Sequence, residues 1–187
     1  MNMTLISPSQ WLADLIKESF LKEYPVQVVH NTIDTNVFKP TPSDFRKQYG
    51  LEDKKIVLGV ASAWSKNKGL DDFVKLSEML DDNYAIVFVG LTDKQIRKLP
   101  NKIIGIRRTN DAEELAGLYT KADVFVNATR EGNYPTVNLE AFSCGVPVVA
   151  YVCGGCKETP NKESVFVECG DIWGLLLRIR DVCEGNG

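Results

Sequence analysis

Residues 130–150 read REGNYPTVNLEAFSCGVPVVA and carry the clearest chemistry in this sequence. An acid, Glu131, precedes a turn at Pro135 and a helix that opens at Thr136. A second acid, Glu140, falls one turn inside that helix, Gly145 closes it, and an apolar strand from Pro147 to Ala150 follows. The first amides of a helix have no partner within it and attract phosphate, and here Thr136 and Val137 offer them. A carboxylate at Glu140 can accept hydrogen bonds from the hydroxyls of a ribose. Its neighbours Val137, Ala141 and Cys144 form an apolar face, where an acid serving only as a solvated surface group is hard to sustain. The pattern predicts a site for a nucleoside diphosphate.

Two other loops carry groups suited to such a ligand. GVASAWSKNKGLDDFVKL is a strand, a polar loop with Lys66 and Lys68, and a helix. In a doubly wound sheet the loop after a strand faces the ligand crevice, and a lysine there neutralises a diphosphate as a point charge. Gly69 precedes a helix whose first turn holds Asp71 and Asp72, which suits its positive end. In YVCGGCKET, Gly154 and Gly155 let the backbone come close to a phosphate or sugar. Cys153 and Cys156 match the Cys-x-x-Cys spacing of redox motifs. Such motifs usually open a helix after the first strand of their fold, whereas this pair lies late, in a glycine loop, with Lys157 as its one basic neighbour. Both cysteines are expected to remain free thiols. The five cysteines are an odd number in a chain with no recognisable export signal, which points the same way. Zinc is not supported, since no second ligand pair lies at finger-like spacing and the single histidine, His30, is far away in sequence.

The elements that would position these groups alternate between strand and helix. A strand from Met3 to Ser7 leads to a helix capped by Ser9, with Leu12, Leu15, Ile16 and Phe20 on one face; a strand follows at Val26 to Val29. His30 to Thr41 is a connector, and a short helix spans Phe45 to Tyr49. Strands are expected at Lys55 to Val60, Ala85 to Val89, Ile103 to Ile106, Val124 to Asn127, Pro147 to Ala150 and Ser164 to Val167. Helices are expected at Leu70 to Leu80, Asp93 to Leu99, Ala112 to Thr120, from Thr136, and at Trp173 to Cys183. The strands at Val57, Ile86, Val124 and Val148 are continuous apolar runs, as in a parallel sheet covered on both faces. The expectation is a doubly wound, Rossmann-like α/β domain.

The 187 residues suffice for one domain with a large core, and 44% apolar with 25% charged residues is an ordinary globular composition. A net charge of −3 argues against a role in coating nucleic acid. No apolar run approaches the roughly 18 residues of a membrane span, and the N-terminus lacks the layout of a signal peptide. A cytoplasmic, soluble domain is expected.

Five stretches in chain order resemble the family-4, GT-B fold retaining glycosyltransferases. VVHNTIDTNVFKP resembles the segment NG-ID-x-x-x-F-x-P that joins the two halves of these enzymes, through Asn31, Ile33, Asp34, Phe38 and Pro40, with Thr32 where glycine is usual. ISPSQWLADLI before it resembles the last strand and helix of the preceding half. The lysine loop resembles G-R-L-x-x-x-K-G at Lys68 and Gly69, while the family's arginine position falls near Ser62. Glu114, Leu115, Leu118, Tyr119, Ala122 and Asp123 match x-E-L-x-x-L-Y-x-x-A-D-V. Gly154, Gly155 and Glu158 match G-G-x-x-E. In the loop before Thr136 the family sets two acids eight residues apart. Here Glu131 and Glu140 are nine apart (140 − 131 = 9), and Gly132 occupies the position where a subgroup with an E-D-N-F-P-T loop carries aspartate. The acid that faces the sugar is therefore either lost or supplied by Glu131 through a shifted backbone.

The resemblance implies that residues 1–29 end the preceding half, 30–41 connect, and 42–187 form the donor-binding domain. It implies that Lys68, aided by Lys66, neutralises the diphosphate, that the amides of Thr136 and Val137 hold phosphate, and that Glu140 grips the ribose. Backbone around Arg108 and Thr109 would lie by the nucleobase, Glu131 by the sugar, and Gly154, Gly155 and Glu158 by the sugar or phosphate. The implied activity is transfer of a hexosyl group from a nucleotide sugar to an acceptor hydroxyl with retention, in glycan or polysaccharide biosynthesis, without a metal or other cofactor. A glycan or lipid-linked acceptor would be bound by an N-terminal half outside this chain, so the chain by itself is expected to bind donor without appreciable turnover. The resemblance allows peripheral association of the parent enzyme with the inner face of a membrane. A nucleotide-sugar epimerase of related architecture and a non-catalytic α/β binding module are the alternatives.

Overall fold

The structure is a computed structural model that describes residues 3–159 and 164–185. Strands β1 (Leu5–Ser7) and β2 (Val26–Val28) pair in parallel as a small separate sheet, joined by helix α1 (Gln10–Lys17). Ser9 caps α1, its hydroxyl accepting from the Leu12 amide at 3.2 Å. The helix ends at Lys17, so Phe20 falls beyond the apolar face expected for it and is 89% exposed. The connector that follows packs Phe38 edge-on against Tyr119, with ring centres 6.4 Å apart, and leads to α2 (Phe45–Gln48).

The rest of the chain builds one six-stranded parallel sheet. In chain order its strands are β3 (Lys55–Val60), β4 (Tyr84–Val89), β5 (Ile103–Ile106), β6 (Val124–Asn127), β7 (Val148–Val152) and β8 (Val165–Glu168). The helices are α3 (Leu70–Met79), α4 (Asp93–Ile96), α5 (Ala112–Lys121), α6 (Thr136–Ser143) and α7 (Ile172–Glu184). The order across the sheet is β5-β4-β3-β6-β7-β8, the Rossmann arrangement in which the first strand neighbours the fourth. This is the doubly wound fold the apolar runs predict.

Those runs are continuous because both faces are covered, and the pleat sorts them residue by residue. Ile56, Leu58, Val87, Phe125, Val148 and Ala150 point to one core with Ala116, Leu118, Tyr119 and Ala141 of α5 and α6. Val57, Ile86, Phe88, Val126, Val149 and Tyr151 point to the other, with Phe73 and Leu76 of α3 and Leu175 and Ile179 of α7. At the N-terminal ends of the strands Asp123 accepts from the Ile56 amide at 2.7 Å and from Arg46 Nη2 at 2.6 Å, tying α2 to the sheet.

At the opposite ends, two features draw the loop after β3 onto the sheet. Trp64 packs its ring against both Phe73 and Phe88 and donates Nε1–H to the Val89 carbonyl at 2.8 Å. Gly69, at φ +79°, lies so close to the end of β6 that a Cβ there would sit 2.4 Å from the Ala128 oxygen. We expect Gly69→Ala to cost at least about 2 kcal/mol, from the left-handed backbone and the clash together. Urea denaturation checks this; a loss below about 0.5 kcal/mol, the range of an indifferent surface change, would refute the packing.

Candidate functional site

The loops after β3 and β6 leave the sheet on opposite faces, and a cleft opens between the strand ends where the order reverses. Its volume is about 390 Å³. Val60, Ala61, Ser62 and Lys68 line it from the first loop, and Gly132, Asn133, Tyr134, Pro135, Thr136 and Val137 from the second. Cys153 and Cys156 close it from the loop after β7, and Pro8 and Asn31 reach it from the N-terminal segment. Among the described residues, Lys68 is the one charged side chain in this lining.

The N-terminus of α6 opens into the cleft without a cap. Pro135 holds the cap position, and no side chain bonds to the first turn. Proline can supply no capping oxygen, so the leading amides, with the positive end of the helix dipole, remain available to an anion. Buried Asn127 and Asn138 brace this corner: Asn127 Nδ2 donates to Asn138 Oδ1 at 2.8 Å, and the Thr129 amide donates to Asn127 Oδ1 at 3.2 Å.

Glu140 lies one turn farther along α6 and is not part of the cleft lining. Its carboxylate accepts from the hydroxyl of fully buried Tyr119 at 3.0 Å, and the Thr136 hydroxyl is a second, weaker influence on it. Burial raises its pKa above the ordinary carboxylate value, against the lowering effect of these two partners. The same carboxylate, together with burial, pushes the Tyr119 phenol well up. The thiols of Cys153 and Cys156 are unpaired. Cys156 accepts from the Cys153 amide at 3.2 Å, and its S–H points to the Tyr151 carbonyl at 2.9 Å. The Cys153 thiol and amide hold the Cys156 thiol down to about 7, although burial opposes them.

The family described as glycosyl transferases, group 1, matches residues 43–186. The chain belongs to this family. It is 27% identical over 162 residues to the alpha-galactosylglucosyldiacylglycerol synthase of Streptococcus pneumoniae, covering 79% of this chain and 43% of that protein. It is 30% identical over 173 residues to a GDP-mannose-dependent phosphatidylinositol monomannoside mannosyltransferase of Mycolicibacterium smegmatis, covering 80% and 45%. The chain thus spans less than half the length of these relatives. Among solved structures, HepE from Anabaena in complex with UDP superposes with a TM-score of 0.80 at 22% identity, over 97% of this chain and 54% of that one. Sucrose-phosphate synthase from Thermosynechococcus elongatus does so with a TM-score of 0.84 at 21% identity, over 97% and 49%. At these identities the likeness is one of fold: that of one half of a GT-B glycosyltransferase.

Within this glycosyltransferase domain several residues singled out in the sequence occupy other places than expected. Lys68, Thr136 and Val137 do share the cleft. Lys66 is exposed and lines a separate depression with Asp71, Asp72, Lys75 and Arg130, so it does not add a second cation to the cleft. Thr109 follows the outer strand β5 and is outside the lining. Glu131 is exposed, with Oε2 held by Asn67 Nδ2 at 3.3 Å, and is outside the lining; Gly132 and Asn133 line the cleft instead. Asp72 lies in the first turn of α3 as expected, and there it is 2% exposed and paired with Arg130.

Gly154, Gly155 and Glu158 serve the protein itself. A Cβ at Gly154 would sit 1.9 Å from the Gly132 oxygen and one at Gly155 2.0 Å from the Asn133 oxygen, so these glycines let two loops meet main chain to main chain. The Gly155 amide donates to the Gly132 carbonyl at 3.3 Å. Glu158 accepts from the amides of Gln10 and Trp11 at 2.6 and 2.9 Å and completes the cap that Ser9 begins on α1. His30, whose Nδ1 lies 2.9 Å from the Pro8 carbonyl oxygen, stacks on Tyr134 with ring centres 4.7 Å apart. The N-terminal segment is therefore docked on the rim of the cleft. A glutamate just after a glycine pair offered no sequence signal for a helix that begins 148 positions earlier. Glu158→Ala should cost about 1–3 kcal/mol, the scale of charge-assisted caps, and should expose the Pro8 to Lys17 segment to limited proteolysis. Unchanged cleavage and unchanged urea stability would refute the docking role.

Proposed function

We propose that the chain is the nucleotide-sugar-binding half of a retaining glycosyltransferase that moves a hexosyl group from a nucleoside diphosphate to an acceptor hydroxyl. The observation that carries this reading is a single cleft, at the reversal of strand order, into which Lys68 and the uncapped N-terminus of α6 both open. In the reaction the bond between the anomeric carbon and the diphosphate oxygen breaks, a bond to the acceptor oxygen forms, and the acceptor's hydroxyl proton passes to the departing diphosphate. Negative charge gathers on the departing diphosphate, where Lys68 and the amides of Thr136 and Val137 stabilise it. These groups are in position beforehand, so little reorganisation is needed. No metal is required for that role in this reading. Glu140 serves the ribose, with Thr136 between it and the cleft.

On the sugar side the reading assigns main-chain groups of Gly132 and Asn133 rather than Glu131. An epimerase would need acid–base side chains around the sugar, and the cleft lining contains no Asp, Glu or His among the described residues. The acceptor belongs to an N-terminal half outside this chain. Two relatives named for lipid products make a lipid-linked acceptor, and a parent enzyme working at a membrane surface, the favoured case. No helix of the described residues is long and apolar enough to cross a membrane.

Calorimetry with UDP, UMP, GDP and GMP tests the core of the proposal. One diphosphate should bind at least about tenfold more tightly than its monophosphate, and the difference should shrink as salt screens Lys68. Equal affinity for both would overturn it. Glu140→Gln should keep the Tyr119 hydrogen bond yet weaken nucleotide binding by about 1.5–3 kcal/mol, the scale of a charged hydrogen bond. Its stability should report the raised pKa. The native carboxylate favours the folded state most at low pH and loses that contribution as pH rises through the raised value. The stability of Glu140→Gln relative to the unsubstituted chain should therefore be higher at pH 7 than at pH 4; the reverse trend would refute the assignment. Glu131→Gln should change UDP-glucose or GDP-mannose affinity by less than about twofold; a loss of tenfold would return Glu131 to the sugar site.

A further inference from the structure

A buried carboxylate must be paired and hydrogen-bonded, and the partner of Asp72 comes from a distant part of the chain. Arg130 Nη2 reaches both of its oxygens, Oδ1 at 2.9 Å and Oδ2 at 2.6 Å, and the Tyr151 hydroxyl donates to Oδ2 at 3.3 Å. The guanidinium carbon lies 6.0 Å from the centre of the Tyr151 ring, at the outer range of a cation–π contact. The main chain adds a fourth tie: the Arg130 amide donates to the Asn67 carbonyl at 2.8 Å, and Asn67 precedes Lys68.

This cluster joins the three loops that make the cleft. Asp72 is on α3, directly after the Lys68 loop; Arg130 begins the loop that carries Gly132 to Val137; and Tyr151 is on β7, which leads into Cys153 and Cys156. None of the three side chains lines the cleft. We propose that Arg130 is a positioning residue, whose salt bridge to Asp72 under the Tyr151 hydroxyl sets the register of residues 131–137 against Lys68 and so preorganises the donor site. The inference rests on the reading of the cleft as the nucleotide-sugar site. The geometry also explains Glu131: with Arg130 pinned inward at the root of the loop, the next side chain is directed to the surface, where Asn67 holds it.

A purely structural pair is replaceable. Apolar residues of similar volume commonly match or exceed the stability of a buried ion pair, but they do not reproduce its directional bonds. The double variant Arg130→Met with Asp72→Leu separates the two roles in the 187-residue chain. Its urea midpoint should equal or exceed that of the unsubstituted chain. Amide exchange of residues 131–134 should nevertheless quicken about tenfold or more, with α5 amides unchanged, and UDP or GDP affinity should fall about tenfold or more. Arg130→Lys keeps the charge but not the planar guanidinium that sets one nitrogen over both Asp72 oxygens, and should lose affinity by about threefold; Tyr151→Phe should do the same. Both keep the proposal testable if the double variant does not fold: native exchange at residues 131–134 in both would overturn it. So would native exchange and native nucleotide affinity in a folded double variant. If the unsubstituted chain binds neither UDP nor GDP, the nucleotide reading of the cleft fails, and the exchange rates alone decide whether Arg130 orders the loop.

Discussion

Between β3 and β6 the connections leave the sheet in opposite directions, and no crossover covers the gap between the two strand ends. Every feature of the candidate site follows from filling or bordering that gap. Loops from both sides must come close enough to make one cleft, yet loop backbone carries polar groups that cannot be buried without partners. The chain resolves this by letting loops satisfy one another. The Asn67 carbonyl takes the Arg130 amide, the Gly132 carbonyl takes the Gly155 amide, and glycine at positions 69, 154 and 155 removes the side chains that would hold the strands of backbone apart.

Charge at the site is divided into groups that stay free and groups that are consumed. Lys68 and the first amides of α6 are left open to the cleft. Three nearby carboxylates are tied within the protein: Asp72 by Arg130 and Tyr151, Glu131 by Asn67, and Glu158 by the amides that start α1. Each engagement reduces the repulsion a diphosphate would meet, because a carboxylate turned into a hydrogen-bonded pair no longer faces the ligand. Glu140 is the acid nearest this boundary. Burial makes its charged form unfavourable, a cost the protein retains beside a helix start built for anions.

The N-terminal segment that carries α1 is held by the same loops. Glu158 and Gly155 lie three residues apart in the loop after β7; one caps α1 and the other packs on Asn133 and Ser9. Tyr134, in the loop that precedes α6, stacks on His30. Movement of the segment relative to the six-stranded sheet must therefore pass through residues that also border the cleft.

Most strand and helix bounds were legible in the sequence to within two residues, because strands buried on both faces need unbroken apolar runs and the longer helices carry an apolar stripe; α1 and α4 end three residues short of the expected Phe20 and Leu99. Lys68 and the α6 amides were legible as well, since both follow from position: the loop after a parallel strand faces the crevice, and a helix start offers amides wherever it opens. What the sequence by itself determined was thus the alternation of elements, the doubly wound sheet and the end of it where the cleft opens. The partners of Asp72, Glu131 and Glu158, the separation of Lys66 from Lys68, and the loop contacts of Gly154 and Gly155 were decided by tertiary structure alone. Each depends on contacts between loops far apart in the chain: 58 positions for Asp72 with Arg130, 64 for Asn67 with Glu131 and 148 for Glu158 with Gln10. Local pattern records which groups a segment can offer, whereas the fold decides which of them meet another segment first and which are left for a ligand.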